Sequence, residues 1–359
     1  MFRGCRTVGV VALGVVGSAS IAQLPAADKV GDVFRLVYDA RSMGMGGAGL
    51  ALRGINSAGV ENPALLAYRV RRFSHTANYF ADGDPAGPFD VPEYLLAGVP
   101  KKVKNPRHFD TVFGYGSVSG EDTGADLTVL VTFDYGPFEL YGTKGAIADA
   151  NIRSEVVNGL RRVTVLGEAF EYETLGGAYG MRLCENTAIG FTAREIRFYR
   201  GVIDYEAEEG PTGEITMIRD DSDIPRGLEW GLDVGIYHEP AEGVGLAFVA
   251  RHVNAPLFHT VSGDAEWRFW PSFDVGVSVT NDRDIWALDL RNVSLENGGR
   301  AIVRMGWEHQ LNSRFAIRMG LLDGKGKIGF GYRSGSVDFS LATGIEPSKQ
   351  LMLSLGVRY

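Results

Sequence analysis

The sequence predicts an all-β fold, an antiparallel up-and-down barrel of about 14 strands that crosses a membrane. Three observations predict this fold. Apolar and polar residues alternate with period two through many short segments, and the first residues have the pattern of an export signal. After that signal, no stretch approaches the about 20 apolar residues that a membrane-spanning helix needs. A mean hydropathy of −0.03 therefore does not distinguish a water-soluble protein from a membrane barrel.

The N-terminus predicts a secretory signal peptide, residues 1–22. Arg3 and Arg6 precede the apolar run 8–16, and Ser20-Ile21-Ala22 provides a cleavage site of the small-x-small type. Cleavage would remove two of 36 basic residues, which leaves 34 against 44 acidic residues and a net charge of −10. This acidic balance argues against a nucleic-acid partner. Of the two cysteines only Cys184 would remain, so no internal disulfide is expected.

The C-terminal third carries the clearest strand pattern. Leu351, Leu353, Leu355 and Val357 alternate with polar or small residues, and comparable segments recur upstream at 303–308, 315–321, 328–333 and 337–343. Short polar connectors separate these segments at hairpin spacing: Asn312-Ser313, Asp323-Gly324 and Ser334-Gly335. The segments are therefore expected to form antiparallel meanders.

Two architectures suit many paired strands that share one apolar face. A soluble sandwich buries that face inside, whereas a membrane barrel turns it toward lipid. The signal peptide, the lack of disulfides and the aromatic Tyr359 at the end of the last strand favour the membrane barrel.

Two stretches depart from the strand pattern. Apolar residues in 146–160 recur at spacings of three and four, which predicts a short helix in an external loop. The acidic stretch 206–223 is interpreted as a solvated loop.

Residues 40–67 are small, rich in glycine and mostly uncharged. Gly44, Gly46 and Gly49 fit the spacing of a dinucleotide fingerprint, but no strand–helix units follow, so nucleotide binding is rejected. Glycine permits close backbone approach and positive φ, which suits a compact plug inside a barrel. We therefore expect residues 23–68 to form a plug, or hatch, and residues 69–359 to form the barrel.

This segment also carries a family resemblance. Residues 40–48, Ala-Arg-Ser-Met-Gly-Met-Gly-Gly-Ala, and residues 61–67, Glu-Asn-Pro-Ala-Leu-Leu-Ala, resemble the FadL-type outer-membrane transporters, whose relatives include the PorV-type barrels of secretion systems. The resemblance implies a barrel of fourteen strands with a lumenal hatch, through which long-chain fatty acids pass before leaving sideways. It assigns these residues to the hatch: Met43, Gly44, Met45, Gly46, Gly47, Gly49, Asn62, Pro63 and Ala64.

Motifs for catalysis or metal binding are not visible. The six histidines are scattered, and neither a Gly-x-Ser-x-Gly elbow nor a phosphate loop occurs. Cys184 is interpreted as a small filler beside a turn. No enzymatic activity, cofactor or metal is therefore expected.

Basic residues on the predicted lumenal face have two interpretations. They can pair with lumenal acidic residues such as Asp274, Glu308 and Asp338, or they can contact the carboxylate of a fatty acid. The candidates for such contacts are Arg304, Arg314, Arg318 and Arg358.

The leading functional hypothesis is passive uptake of hydrophobic molecules, above all long-chain fatty acids, across the bacterial outer membrane. Its expected partners are the cargo and the membrane lipids. A second hypothesis is a PorV-like barrel that secretes or anchors an exported protein client. A soluble exported β protein is the third.

Overall fold

A computed structural model describes residues 37–69, 73–83, 121–158, 160–209, 215–220, 226–259, 266–296, 300–345 and 351–358. The predicted signal peptide, residues 1–22, and the first part of the predicted hatch lie outside the described residues. So do Tyr359 and the end of the acidic stretch, residues 221–223.

Fourteen strands close into a ring in the described part of the chain. They are β1 (Phe73–Gly83), β2 (Glu121–Tyr135), β3 (Phe138–Val157), β4 (Leu160–Cys184), β5 (Thr187–Glu209), β7 (Arg226–Ala241), β8 (Val244–Arg251), β11 (Ser272–Thr280), β12 (Asp284–Arg291), β13 (Ile302–Gln310), β14 (Phe315–Leu322), β15 (Lys325–Ser334), β16 (Val337–Gly344) and β17 (Leu351–Arg358). Each pairs antiparallel with its neighbour, β4 pairs with β5, and β1 pairs with β17. The predicted all-β barrel is confirmed.

Three further strands lie outside this ring. β6 (Ile215–Asp220) extends the sheet beside the far end of β5, and β9 (Leu257–His259) pairs with β10 (Glu266–Arg268) in a separate hairpin. That hairpin belongs to the connection between β8 and β11. The long connections all leave one end of the ring, whereas short turns join β2 to β3, β4 to β5 and β7 to β8 at the other. In membrane barrels the short turns face the periplasm.

The alternation predicted from the sequence matches the two faces of the wall. In β17, Leu351, Leu353 and Leu355 are exposed on the outside, while Met352 and Ser354 are buried inside. The same division holds in β7, where Leu228, Trp230 and Leu232 face outward and Asp233 is buried. A period of two follows from strand geometry, because successive side chains point to opposite faces.

The helix predicted for residues 146–160 is wrong. Residues up to Val157 belong to β3, and Leu160 opens β4. Ala146 lies opposite both Leu127 and Glu171, so the backbone hydrogen bonds of this stretch are made in two ladders. Pairing with both neighbouring strands outweighs a weak local helical pattern.

The acidic stretch is only partly a loop. Glu206 and Glu208 lie in the last part of β5, at the end of the ring with the long connections, where both carboxylates pair with Arg162 of β4 at 3.3 and 3.0 Å. β6 then pairs back onto β5. Interstrand ion pairs and a ladder therefore order much of this segment.

Residues 37–69 form the N-terminal segment, which crosses the interior of the ring. It contains α1 (Ala40–Gly44), α2 (Ala58–Glu61) and a 3₁₀ helix (Pro63–Tyr68). Its apolar residues form about half of the core, and inward-facing side chains of the wall form the rest. No helix among the described residues is long and apolar enough to span a membrane.

Candidate functional site

The N-terminal segment begins with a capped turn. Asp39 is the N-cap of α1, and its carboxylate accepts hydrogen bonds from the backbone amides of Arg41 and Ser42 at 2.8 and 3.0 Å. Its second oxygen accepts from the Asn56 amide at 2.9 Å, which ties the two halves of the segment together. Burial raises the pKa of the Asp39 carboxyl, while the hydrogen bonds from Ser42 and Asn56 oppose that shift.

The glycine-rich residues of the hatch motif lie directly against the wall. Gly46 and Gly47 have φ of 66° and 79°, which bends the chain after α1. A side-chain carbon on Gly306 would lie 2.3 Å from the Met45 carbonyl oxygen, and one on Gly320 would lie 2.1 Å from the Gly46 nitrogen. Gly306 and Gly320 are cross-strand partners on β13 and β14. We call them the first glycine seat.

A second glycine seat receives the Asn-Pro-Ala motif. Gly180, Gly190 and Gly235 are successive cross-strand partners on β4, β5 and β7. A side-chain carbon on Gly190 would lie 2.2 Å from the carbonyl carbon of Pro63. Part of the glycine excess in the sequence thus serves close contact between the wall and this segment.

Asn62 organises the turn at the second seat. Its Oδ1 accepts from the Ala64 amide at 3.1 Å and so caps the 3₁₀ helix, in which Pro63 occupies the first turn. Its Nδ2 donates to the carbonyl oxygens of Leu50, at 2.9 Å, and of Ile236, at 3.3 Å. One fully buried side chain therefore connects both halves of the segment to β7.

A buried ion triad fastens α1 to the wall. Glu308 of β13 accepts from Arg41 Nε at 2.7 Å and from Arg318 Nε at 2.7 Å. Arg318 of β14 is the cross-strand partner of Glu308 and also donates to Ser340 Oγ at 3.2 Å. One carboxylate thus serves two guanidinium groups away from solvent.

A second set of charges fastens the middle of the segment. Asp289 of β12 accepts from the backbone amides of Gly49 and Leu50 at 2.8 and 3.0 Å. Arg251 donates to the carbonyl oxygens of Val60 and Glu61 at 2.9 and 3.0 Å, and Arg291 pairs with the Glu61 carboxylate. The wall therefore satisfies backbone groups of the segment that would otherwise be buried without partners.

The four arginines proposed as carboxylate contacts occupy different environments. Arg318 belongs to the ion triad, and Arg304 donates to the Gly47 carbonyl oxygen at 3.2 Å, so both hold the N-terminal segment. Arg314 does not lie in the lumen as expected, because it is exposed in the turn before β14. Arg358 is the last residue of β17, and its side chain lies outside the described part.

A small polar cavity lies between the N-terminal segment and the long-loop end of the ring. Its volume is about 40 Å³. A space of this size holds a few waters and no large ligand. Its lining is formed by Tyr38, Val60, Glu61, Tyr141, Thr143, Tyr172, Thr174, Arg194, Arg251, His252, Asp274 and Arg291.

The sequence reasoning missed most of these cavity residues, although a repeated pattern marks some of them. Leu232-Asp233-Val234-Gly235 resembles Phe273-Asp274-Val275-Gly276, and Arg251-His252-Val253 resembles Arg291-Asn292-Val293. In both copies the aspartate accepts from the amide of the residue after the arginine, at 2.9 Å for His252 and 2.8 Å for Asn292. Both of these residues have a φ of 52°, so the backbone changes direction sharply at the end of the strand.

An aromatic cluster covers the cavity on the long-loop side. Phe258 and Phe269, on the connection between β8 and β11, pack on Phe198 of β5 with ring centroids 4.9 to 5.8 Å apart. His252 lies edge-on to Phe269 at 5.1 Å and also lines the cavity. Polar and aromatic surfaces therefore meet at His252.

The outside of the ring is strongly apolar. Large exposed side chains occur on nearly every strand of the wall, among them Phe133, Phe191, Trp230, Trp286, Met319 and Leu355. Soluble monomers rarely expose so extensive an apolar surface. Among the described residues no group of His, Cys, Asp or Glu is arranged to hold a metal ion.

The sequence matches no protein-family model and no curated protein. Solved structures do match. The Pseudomonas aeruginosa FadL homologue aligns with 90% of this chain and 98% of its own, at 11% identity and a TM-score of 0.55. The P. putida toluene transporter TodX aligns with 90% and 96%, at 10% identity and a TM-score of 0.51. The Ralstonia pickettii toluene transporter TbuX aligns with 90% and 98%, at 11% identity and a TM-score of 0.50. The chain therefore has the fold of the FadL-type outer-membrane transporters.

Proposed function

We propose that the protein spans the bacterial outer membrane and admits hydrophobic small molecules passively, with residues 37–69 acting as the hatch. The apolar outer wall supports a membrane location, because its exposed Leu, Phe and Trp side chains suit lipid. The proposed signal peptide, residues 1–22, would deliver the chain to the secretory route.

The observation that carries the proposal is the way the N-terminal segment fills the interior. It lies on two glycine seats on opposite parts of the ring and is held by the ion triad and by Asp289, Arg251 and Arg291. A segment that packs this closely against the wall obstructs the lumen. A transported molecule must therefore displace it.

The continuous pairing of the wall favours a route for the transported molecule past the N-terminal segment rather than sideways through the wall. Neighbouring strands of the ring pair continuously through the described residues. The register between two ring strands shifts only next to short turns, at Arg182/Cys184 and His238/Ala241. A sideways exit, which the family resemblance implies, would need a gap in these ladders. Movement of the hatch needs none.

The cargo is proposed at the level of hydrophobic small molecules. The family resemblance points to long-chain fatty acids, and two solved relatives are toluene transporters, which adds small aromatic molecules to the candidates. Both classes partition into lipid and need no energy source to cross a passive barrel.

Uptake by intact cells tests this proposal. A Gram-negative host without its own fatty-acid and aromatic transporters would express the wild-type chain or carry empty vector, and initial uptake of labelled oleate and labelled toluene would be measured. We expect uptake of at least one label several times above vector. Uptake equal to vector for both labels, with a heat-modifiable band that proves a folded barrel, would refute the proposal.

The same cells separate the proposal from a PorV-like role. Crosslinking in intact cells should trap no large exported client if the barrel carries small molecules. A stable crosslinked client together with absent uptake would favour the secretion or attachment role instead.

A further inference from the structure

A carboxylate lies on the apolar outer face of the wall, at the end of the ring with the short turns. Asp284 is the first residue of β12, and strand alternation places it on the same face as Trp286 and Leu288, which are 55% and 38% exposed. A charge on the outer face of a membrane barrel is unfavourable, and least so near the two membrane surfaces. Asp284 therefore marks a level of the wall that meets polar groups.

Two neighbouring side chains hold this carboxylate in place. Asp284 Oδ1 accepts hydrogen bonds from Trp307 Nε1 at 2.8 Å and from His309 Nδ1 at 2.9 Å. Both donors belong to β13, where His309 lies directly opposite Asp284 in the strand pairing. The second oxygen, Asp284 Oδ2, makes no hydrogen bond within the described part of the chain. The carboxylate is thus oriented by two donors and leaves one oxygen open to a donor from outside the protein.

Aromatic rings surround the carboxylate. The ring centroids of Trp286 and Trp307 lie 5.9 Å apart, and Trp307 stacks on the His309 ring at 5.7 Å. At the same end of the next two strands, Phe315 packs against Tyr332 at 5.0 Å. Trp and Tyr concentrate where a membrane meets water, because their rings combine an apolar body with a polar edge. In the proposed outer membrane, the head groups of the periplasmic leaflet therefore lie at the level of this cluster.

The charges favour one kind of head group. An ionised carboxylate binds a cation that donates to it, and the exposed ring of Trp286 favours a cation beside its face. Arg283, the exposed residue before Asp284, lies close enough to act on the carboxylate electrostatically but forms no ion pair with it. A head group that carries an ammonium and a phosphate complements both charges. An anionic head group without an ammonium would place its phosphate against the carboxylate.

We propose that Asp284, together with Trp286, Trp307 and His309, binds the ethanolamine head group of a phospholipid in the periplasmic leaflet. The ammonium donates to Asp284 Oδ2 beside the Trp286 ring, and the phosphate lies near Arg283. A primary ammonium has three N–H donors, which the trimethylated ammonium of choline lacks. The site concerns the lipid boundary of the barrel, so it rests on the proposed membrane location and not on the nature of the cargo.

Three phospholipids with the same acyl chains test the site. Phosphatidylethanolamine, phosphatidylcholine and phosphatidylglycerol present a primary ammonium, a trimethylated ammonium and no ammonium. The full chain would be reconstituted in nanodiscs that contain equal amounts of the three, and the lipids retained on the released barrel would be counted by native mass spectrometry. We expect the ethanolamine lipid to be retained about threefold more than either of the others, as one charge-assisted hydrogen bond at a partly exposed site predicts.

Substitutions in and beside the site sharpen the test. Asp284→Asn keeps the shape of the side chain and removes its charge, so the preference for the ethanolamine lipid should disappear. Trp307→Phe keeps the carboxylate and removes one of the two groups that orient it, so the preference should fall in part. Asp282→Asn is the matched control, because it removes an exposed carboxylate from the same turn, and it should leave the preference unchanged.

Three results, each scored on protein with the heat-modifiable band of a folded barrel, would overturn the site. They are equal retention of the three lipids by the wild-type chain, an unchanged preference in Asp284→Asn, and an equal loss of preference in Asp282→Asn. Trp307→Phe supplies the second comparison if Asp284→Asn does not fold, and an unchanged preference there would also count against the site. Loss of the lipid preference alongside normal uptake would refute the site alone, whereas a wild-type chain that stays in the soluble fraction would refute the proposed membrane location as well.

Discussion

At the scale of single residues, a few polar side chains connect the N-terminal segment to the wall. Asn62 uses both ends of its amide, and Glu308 is shared by Arg41 and Arg318. Asn62 belongs to a motif visible in the sequence. Glu308 was recognised only as one charge on a polar strand face, because its two partners come from another strand and from the segment.

The ion triad makes a prediction at this scale. Glu308→Gln leaves Arg41 and Arg318 buried side by side without a carboxylate, which should cost about 3–5 kcal/mol. Hydrogen exchange of the amides of residues 43–47 should therefore become much faster, while the strands of the wall stay protected.

A matched control uses an exposed ion pair. Asp323 pairs with Arg300, which lies at the surface, so Asp323→Asn should change stability by about 1 kcal/mol or less. Unchanged exchange at residues 43–47 in Glu308→Gln would show that the triad does not hold the segment.

At the scale of elements, the fit between the wall and the segment depends on glycines aligned across neighbouring strands. Gly306 and Gly320 receive Met45 and Gly46, and Gly180, Gly190 and Gly235 receive the Asn-Pro-Ala turn. Each strand alone shows only a glycine within an alternating pattern. The seat exists only once the register places these glycines side by side.

The first glycine seat predicts that an added methyl group destabilises the packing at Gly320 but not at Gly142, which lies outside the seat. Gly320→Ala places a carbon about where the Gly46 backbone lies, at an overpacking cost of about 1–3 kcal/mol, and should loosen the segment. Gly142→Ala on β3 has 3.9 Å to its nearest neighbour and should be neutral. Limited proteolysis within residues 40–55 measures the difference, and equal cleavage of both variants would contradict the seat.

The difference between features that are local in the sequence and features that form between separate strands explains what could be predicted from the sequence. Strand faces follow from a local period of two, which the sequence shows directly. The motif residues of the N-terminal segment are contiguous, so the sequence shows that motif as well; its role as a hatch stays a prediction. The cavity residues Tyr141, Arg194 and His252 come from three separate elements and meet only in the closed ring. The helix predicted around residue 150 failed for the same reason, since pairing with β2 and β4 is not local.

At the scale of the whole molecule, the two faces of the wall account for the composition. The outer face is apolar, the interior holds many charged side chains, and their average yields a mean hydropathy near zero. Many interior charges pair with one another or with the N-terminal segment. We propose that this segment closes an otherwise open barrel.

Ion conductance in planar lipid bilayers tests that claim most directly. The full chain would be compared with a variant that lacks residues 37–69, both checked for a folded barrel by heat-modifiable mobility. Removing the segment should leave a water-filled, charged lumen. We predict no steady current through the full chain and large stepwise currents through the shortened one. Equal conductance of the two folded proteins would contradict the account.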